Sequence, residues 1–192
     1  MVLTETAARW ILILHTALGV AAVGAATHLV LWMRRYLRGE FGRHRAVRKF
    51  GWIVLALQLA AFIAGNVMYP TYKVEVRAAY LDSGEAIGAE RAIHEREIAR
   101  VAEREHAVAA EPSTDDRAKQ AAHAAHWFDI KEHWIALGIL VAFALNLVLA
   151  FWDPRKGGGE LVAPVFALAV IVAGTVWLGA IIGVMTATWR AV

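Results

Sequence analysis

Eight histidines and no cysteine define the side-chain chemistry open to this 192-residue chain. Five of the histidines fall in or beside long apolar runs: His15 and His28 inside the first, and His123, His126 and His133 leading into the third. An ionisable side chain within a membrane span has no bulk water around it and marks a functional site by default. Imidazole is also the commonest metal ligand and a frequent axial ligand of haem. The lack of cysteine excludes disulfides, thiolate metal sites, iron–sulfur clusters and haem attachment through Cys-x-x-Cys-His.

Spacing says which histidines can meet. His126 and His133 are seven residues apart, a rise of about 10.5 Å and a turn of about −20°, so they share one helix face. Asp129 lies between them on roughly the same side and could accept a ring N–H, as carboxylates behind metal-bound histidines do. His15 lies a little over one turn inside the end of its run, at a depth like that of His133. His15 and His133 are therefore the expected axial ligands of a b-type haem, with His126 the substitute for either. The alternative is a divalent-metal site made by His126, Asp129 and His133. Tyr69, Tyr72, Glu75 and Arg77 lie at the same level, where Arg77 or Lys73 could pair with propionates or another anionic head. His28 follows His15 by about 19.5 Å and about −140°. It is the candidate for a second cofactor position, but no histidine or methionine of the other spans lies at its depth, and His44 falls in a basic loop. His94 and His106 lie on a charged stretch and are expected to be solvated.

The elements that must position these groups follow from hydropathy. The chain is 59% hydrophobic with a mean hydropathy of +0.48, which places it in the membrane class. Apolar runs at roughly 10–33, 50–69, 134–152 and 161–189 are each close to the ~20 residues that cross a bilayer as a helix. The first has no basic segment before it and reads as a retained span rather than a cleaved signal peptide. The expected fold is all-α: a four-helix transmembrane bundle with a long helical extension between spans two and three. Residues 1–70 would hold spans one and two with a basic loop, 71–131 an extramembrane helical hairpin, and 132–192 spans three and four.

Charge sets the expected orientation. Arg34, Arg35, Arg38, Arg43, Arg45, Arg48 and Lys49 lie between the first two runs, and Arg155 and Lys156 between the last two. Short loops rich in Lys and Arg stay cytoplasmic. Both termini and the 71–131 segment would then be periplasmic in a bacterial inner membrane. Tryptophans fall into two matching belts, Trp32, Trp52 and Trp152 on one side and Trp10, Trp127, Trp134 and Trp189 on the other, with Trp177 mid-membrane.

Within the extension, Thr71 to Leu81 is helix-compatible and Asp82-Ser-Gly reads as a turn. Residues 85–109 read as an exposed helix supported by charge pairs. Glu-Pro-Ser-Thr breaks it at 111–114, and Ser113 with Asp116 resembles a capping box opening a helix that runs into the third span. Ile87, Ile93, Ile98 and Val101 are sparse on the charged helix, which gives the extension a protein partner as one expectation and a solvated helix as the other. Thr4 is a candidate N-cap. Gln58, Asn66 and Asn146 are expected to hydrogen-bond between helices, and Gly174, Gly179 and Gly183 to allow close packing.

Leu-His15-Thr early in the first span, a basic loop, and Trp127-Phe-Asp-Ile-Lys131 leading into the third together resemble a superfamily of small haem- or copper-associated membrane proteins. Its members include the copper-resistance D-type proteins and the J-type protoporphyrinogen oxidases. In the latter a first-helix histidine and a lysine at a comparable helix start are functional, so the resemblance implicates His15 and Lys131. The 71–125 extension and the Tyr69-Pro-Thr-Tyr72 segment depart from that pattern.

The leading expectation is thus a membrane protein binding haem b and working in electron transfer or haem-linked oxidoreduction. A non-catalytic accessory subunit of a larger membrane complex and a divalent-metal-binding protein are the alternatives. No nucleophile elbow, phosphate-cradling glycine loop or zinc-protease helix is present. The basic 34–49 loop is accounted for by topology, without a nucleic-acid partner.

Overall fold

The computed structural model describes residues 2–105 and 114–188. They are all-α, with no strand among the described residues. The first helix, α1 (Glu5–Met33), is capped by Thr4, whose hydroxyl accepts from the Ala7 N–H at 3.4 Å. A 3-10 segment, Arg34–Arg38, ends at Gly39 with φ 76° and turns the chain into α2 (His44–Tyr72). Each of the four expected spans corresponds to a helix long and apolar enough to cross a membrane: α1, α2, α4 (Thr114–Phe151) and α5 (Val162–Thr188).

Pro70 does not stop α2. Its missing N–H and ring disturb the α pattern there, and three residues later the chain continues as a π-helix, Lys73–Leu81. The π pattern closes with the Asp82 N–H on the Arg77 carbonyl, 2.8 Å. A turn at Asp82–Ser83 follows, and the Ser83 hydroxyl caps α3 (Gly84–Glu105) by accepting from the Ala86 N–H at 3.2 Å. The proposed capping box at Ser113, the 111–113 break, residues 106–109 of the charged helix, His106 and Trp189 lie outside the described residues. From Thr114 one helix of 38 residues continues into the third span without a break.

In the bundle α1 packs on α2 and α5, and α4 packs on the same two helices. That leaves α1 and α4 on one diagonal, with α2 and α5 on the other. The core is apolar and fully buried at its centre, where Leu29, Met33, Val47, Val54, Leu145, Leu149 and Val172 meet. Lipid offers such side chains an environment as apolar as the protein interior, so close approach and interhelical polar contacts must supply specificity. The bundle does this by seating polar side chains against glycines of a neighbouring helix. A Cβ on Gly51 would stand 2.7 Å from the Asn146 Oδ1, and one on Gly65 3.3 Å from the His15 ring. One on Gly183 would lie 3.1 Å from the Lys131 ammonium, and one on Gly138 would collide with Thr175.

The hairpin is tied down differently. Leu81, Ile87, Ala121 and Ala125 form a small cluster with Tyr72, Val76 and Tyr80 against it. Arg77 bridges the segments through Asp129 at 2.8 Å and Asp82 at 3.4 Å.

Candidate functional site

We call the end of the bundle that carries the 34–43 turn the loop end, and the other the hairpin end. At the hairpin end His15 projects from α1 towards α2. Its Nδ1 lies 2.8 Å from the Ala61 carbonyl oxygen. A carbonyl only accepts, so Nδ1 is the protonated nitrogen, and in the neutral ring Nε2 carries the free lone pair. Gly65, one turn beyond Ala61, gives the ring the space it occupies. This backbone bond fixes the tautomer and ring direction in the way that partners behind metal-bound histidines do.

Lys131 enters the same level from α4. It lies on the stripe of α4 that faces the interior, with Ala124, Phe128, Ile135, Gly138 and Ala142. Its ammonium lies beside Gly183 of α5 and 5.7 Å from the centre of the Phe128 ring. No carboxylate among the described residues forms an ion pair with it, and its charge is near enough to act on His15. The two residues singled out by resemblance therefore share one level of the bundle.

The other expected ligands are placed elsewhere. His126 and His133 do share one face of α4, but it is the face turned away from the bundle, and both are exposed. His133 uses its Nδ1 on the Asp129 carbonyl of its own helix, 2.8 Å away. Asp129 turns its carboxylate to Arg77 rather than to either imidazole. Among the described residues no three His, Asp or Glu side chains form a group able to hold a metal ion. The expected His126–Asp129–His133 metal site is therefore not assembled, and His133 is not brought to His15 within the bundle. Arg77 is likewise committed to two carboxylates. His123 is exposed. Above Lys131, Tyr69 and Tyr72 stack on Phe128, the nearer pair with ring centres 4.0 Å apart.

His28 is exposed and packs its ring on Trp32 and Phe50, with centres 4.5 and 5.2 Å away. This is an aromatic cluster, with Arg43 lying over the Trp32 ring. Asn146 does bond between helices, from Nδ2 to the Gly51 carbonyl at 3.1 Å. Among the described residues Asn66 bonds only within its own helix, to Phe62, and Gln58 makes no side-chain hydrogen bond.

The loop end holds a histidine that the basic stretch around it concealed. His44 is the first residue of α2 and is 1% exposed. Its Nδ1 pairs with the Tyr36 hydroxyl at 2.8 Å, and its ring stands edge-on to Trp152. Its Nε2 approaches the Trp152 backbone without a hydrogen bond of sound geometry. Just beyond, Arg155 donates to both Asp153 oxygens at 2.9 and 2.7 Å and holds that carboxyl well below the usual carboxylate range. The only signal of His44 in the sequence is its seven-residue spacing from Gly51, Gln58, Gly65 and Tyr72.

No protein-family model, curated protein or solved structure matches the chain.

Proposed function

We propose that the chain is an integral membrane protein that binds b-type haem in the hairpin-end half of its bundle and works in electron transfer or haem-linked oxidoreduction. The observation that carries this reading is the state of His15. It is a partly buried imidazole with Nδ1 fixed on a backbone carbonyl, a glycine shoulder beside the ring, and no hydrogen bond to Nε2 among the described residues. Bound haem would supply one-electron redox chemistry. The chain's residues hold and surround it: His15 offers one axial nitrogen, and Lys131 offers an ammonium to an anionic group.

The reading differs from a bis-histidine site, because His126 and His133 face outward. It also gives the anion-pairing role to Lys131 rather than Arg77, which Asp129 and Asp82 already engage. The basic 34–49 segment favours a cytoplasmic loop end and a periplasmic hairpin.

The test is an absorption spectrum of the purified full chain after reconstitution with haem. An intense haem band is expected in the wild type and in His133→Ala, and its loss in His15→Ala. Protein that stays colourless, or a band unchanged by His15→Ala, would sink the proposal. Loss in His133→Ala would restore a bis-histidine site.

A second reading, an accessory subunit of a larger complex, has one observation of its own. The α3 helix meets α4 through a small cluster while Ile93 remains 59% exposed. Loss of a stoichiometric partner on deleting 82–114, with the spectrum retained, would add that role.

A further inference from the structure

The segment 34–49 carries seven basic residues and one acidic residue, Glu40. Topology needs only their number, but the structure gives two of them a shared setting. Arg35 and Arg43 line an open cleft of about 270 Å³ at the loop end, together with Trp32, Tyr36, Glu40 and Gly42. Glu40 meets Arg35 and Arg38 at 3.2 Å each, both through Nε. One carboxylate cannot balance two guanidinium groups. The Arg43 side chain has no ion pair or hydrogen bond among the described residues and lies over the Trp32 ring, 5.8 Å from its centre. A ring face attracts a cation without cancelling its charge. The cleft and its rim therefore hold three positive charges, Arg35, Arg38 and Arg43, against the one negative charge of Glu40.

We propose that this cleft binds the phosphate of an anionic phospholipid, whose acyl chains lie along the outer seam between α1 and α2. A guanidinium offers its N–H groups to phosphate oxygens as a fork, and Arg35 and Arg43 supply two such forks from the two sides of the turn. Basic pockets beside membrane spans take anionic head groups in this way. The volume of about 270 Å³ is below the roughly 300–1,000 Å³ of pockets that enclose a whole ligand. It suits a head group whose chains stay outside. Arg34, Arg45, Arg48 and Lys49 are exposed and do not line the cleft. Their charge raises the local concentration of anionic lipid without fixing any one molecule.

The surface that leads away from the cleft favours a lipid over a soluble phosphate. Trp32 lines the cleft and belongs to the loop-end belt with Trp52 and Trp152, the depth at which head groups lie. Towards the membrane interior the wall continues as rings. Trp32 and Phe50 have centres 4.7 Å apart, and His28 stands 4.5 Å from the first and 5.2 Å from the second. Phe50 belongs to α2 and the other two to α1, so the rings bridge the seam. One turn further on, Gly24 of α1 and Ile53 of α2 are exposed, and a Cβ on Gly24 would meet nothing within 4 Å. A lipid anchored at Arg43 thus finds aromatic and apolar surface for its chains, which a free phosphate would not use.

The test uses the full chain purified in a non-ionic detergent, where orientation in a bilayer plays no part. Native mass spectrometry counts the lipid bound from added phosphatidylglycerol or phosphatidylcholine of equal chain length. The wild type should bind a single phosphatidylglycerol about ten-fold more tightly than phosphatidylcholine. Arg35→Gln with Arg43→Gln should bring the two lipids level. Arg45→Gln with Lys49→Gln removes the same charge outside the cleft and should change the preference by less than about two-fold. Arg35→Lys with Arg43→Lys should keep most of the preference, which separates loss of the site from loss of the fold. Glycerol 3-phosphate, the head without its chains, should displace little lipid at equal concentration. A wild type without preference overturns the proposal, as does an intact preference in the glutamine pair at the cleft. Equal loss in the pair outside it, or loss in the lysine pair, does the same. Displacement by equimolar glycerol 3-phosphate would make the cleft a soluble-phosphate site and sink the lipid reading. The lipid count does not depend on haem, so failure here leaves the haem proposal standing, and a colourless protein leaves this one standing.

Discussion

The bundle buries an imidazole near each end, and the two are held in opposite ways. His44 is locked: fully buried, hydrogen-bonded to Tyr36 and packed against Trp152. His15 is poised: partly buried, anchored by a backbone carbonyl, resting in a glycine notch, with an ammonium at its level that has no ion pair among the described residues. Each ring has one hydrogen bond of sound geometry, through Nδ1, so the difference lies in access: a ring packed on every side contributes mainly to folding, while a partly exposed one is available to a ligand. The contrast predicts that damage at the loop end costs stability, while changes at the hairpin end cost little stability and alter binding.

The largest effect should come from His44→Ala. Truncating a fully buried ring leaves a cavity and an orphaned Tyr36 hydroxyl, a loss of about 3 kcal/mol. His15→Ala should cost about 1 kcal/mol, the scale of one hydrogen bond and partial burial. Thermal unfolding of both variants in the same detergent checks this. Equal losses would erase the distinction between the two ends. Next, Tyr36→Phe keeps the ring packing but strips His44 of its one side-chain partner, and should destabilise by about 1–2 kcal/mol in the same assay.

How far the two ends were legible in the sequence follows the same division. The spans, the all-α class and His15 stand out because hydropathy and an ionisable group inside an apolar run are local signals. His44 does not, because its neighbours Arg43, Arg45, Arg48 and Lys49 make a solvated loop the natural reading. Its burial is imposed by Tyr36 and Trp152, the latter more than a hundred positions away. Spacing correctly put His126 and His133 on one face of α4, but not which face points inward, since the span is apolar nearly all round. The discriminating signal was the row of small residues Ala121, Ala124, Ala125, Gly138 and Ala142, which marks close helix contact and carries Lys131 rather than His133. The π-helix after Pro70 had no signature beyond the proline itself.

Lys131 reverses the sign of the comparison. An ammonium among apolar groups, with no ion pair among the described residues, opposes folding. Lys131→Met keeps the stem's volume and removes the charge, so the ligand-free protein should gain about 1 kcal/mol, seen as a raised unfolding temperature. The same variant should lose affinity for haem in titration. A fall in stability would show that the ammonium is already satisfied by neighbours, and the hairpin end would then be as locked as the loop end.

The smallest effect is the most local. A methyl on Gly65 would stand 3.3 Å from His15 Cε1 and 3.5 Å from Nδ1, a contact relieved by a shift of a few tenths of an ångström. Gly65→Ala should therefore change stability by less than about 1 kcal/mol, with the gain in helix propensity offsetting part of the strain. The shift acts on a ring tethered at a single hydrogen bond, so it tilts Nε2 while Nδ1 stays on Ala61. The haem band of Gly65→Ala should move or weaken although its unfolding temperature scarcely changes. Gly51→Ala supplies the contrast nearer the loop end of α2. There the added methyl meets the Asn146 Oδ1 at 2.7 Å, in a side chain already fixed by two hydrogen bonds. That variant should lose stability and leave the spectrum unchanged. If Gly65→Ala behaves like Gly51→Ala instead, His15 is a packing residue and the notch around it has no ligand to serve.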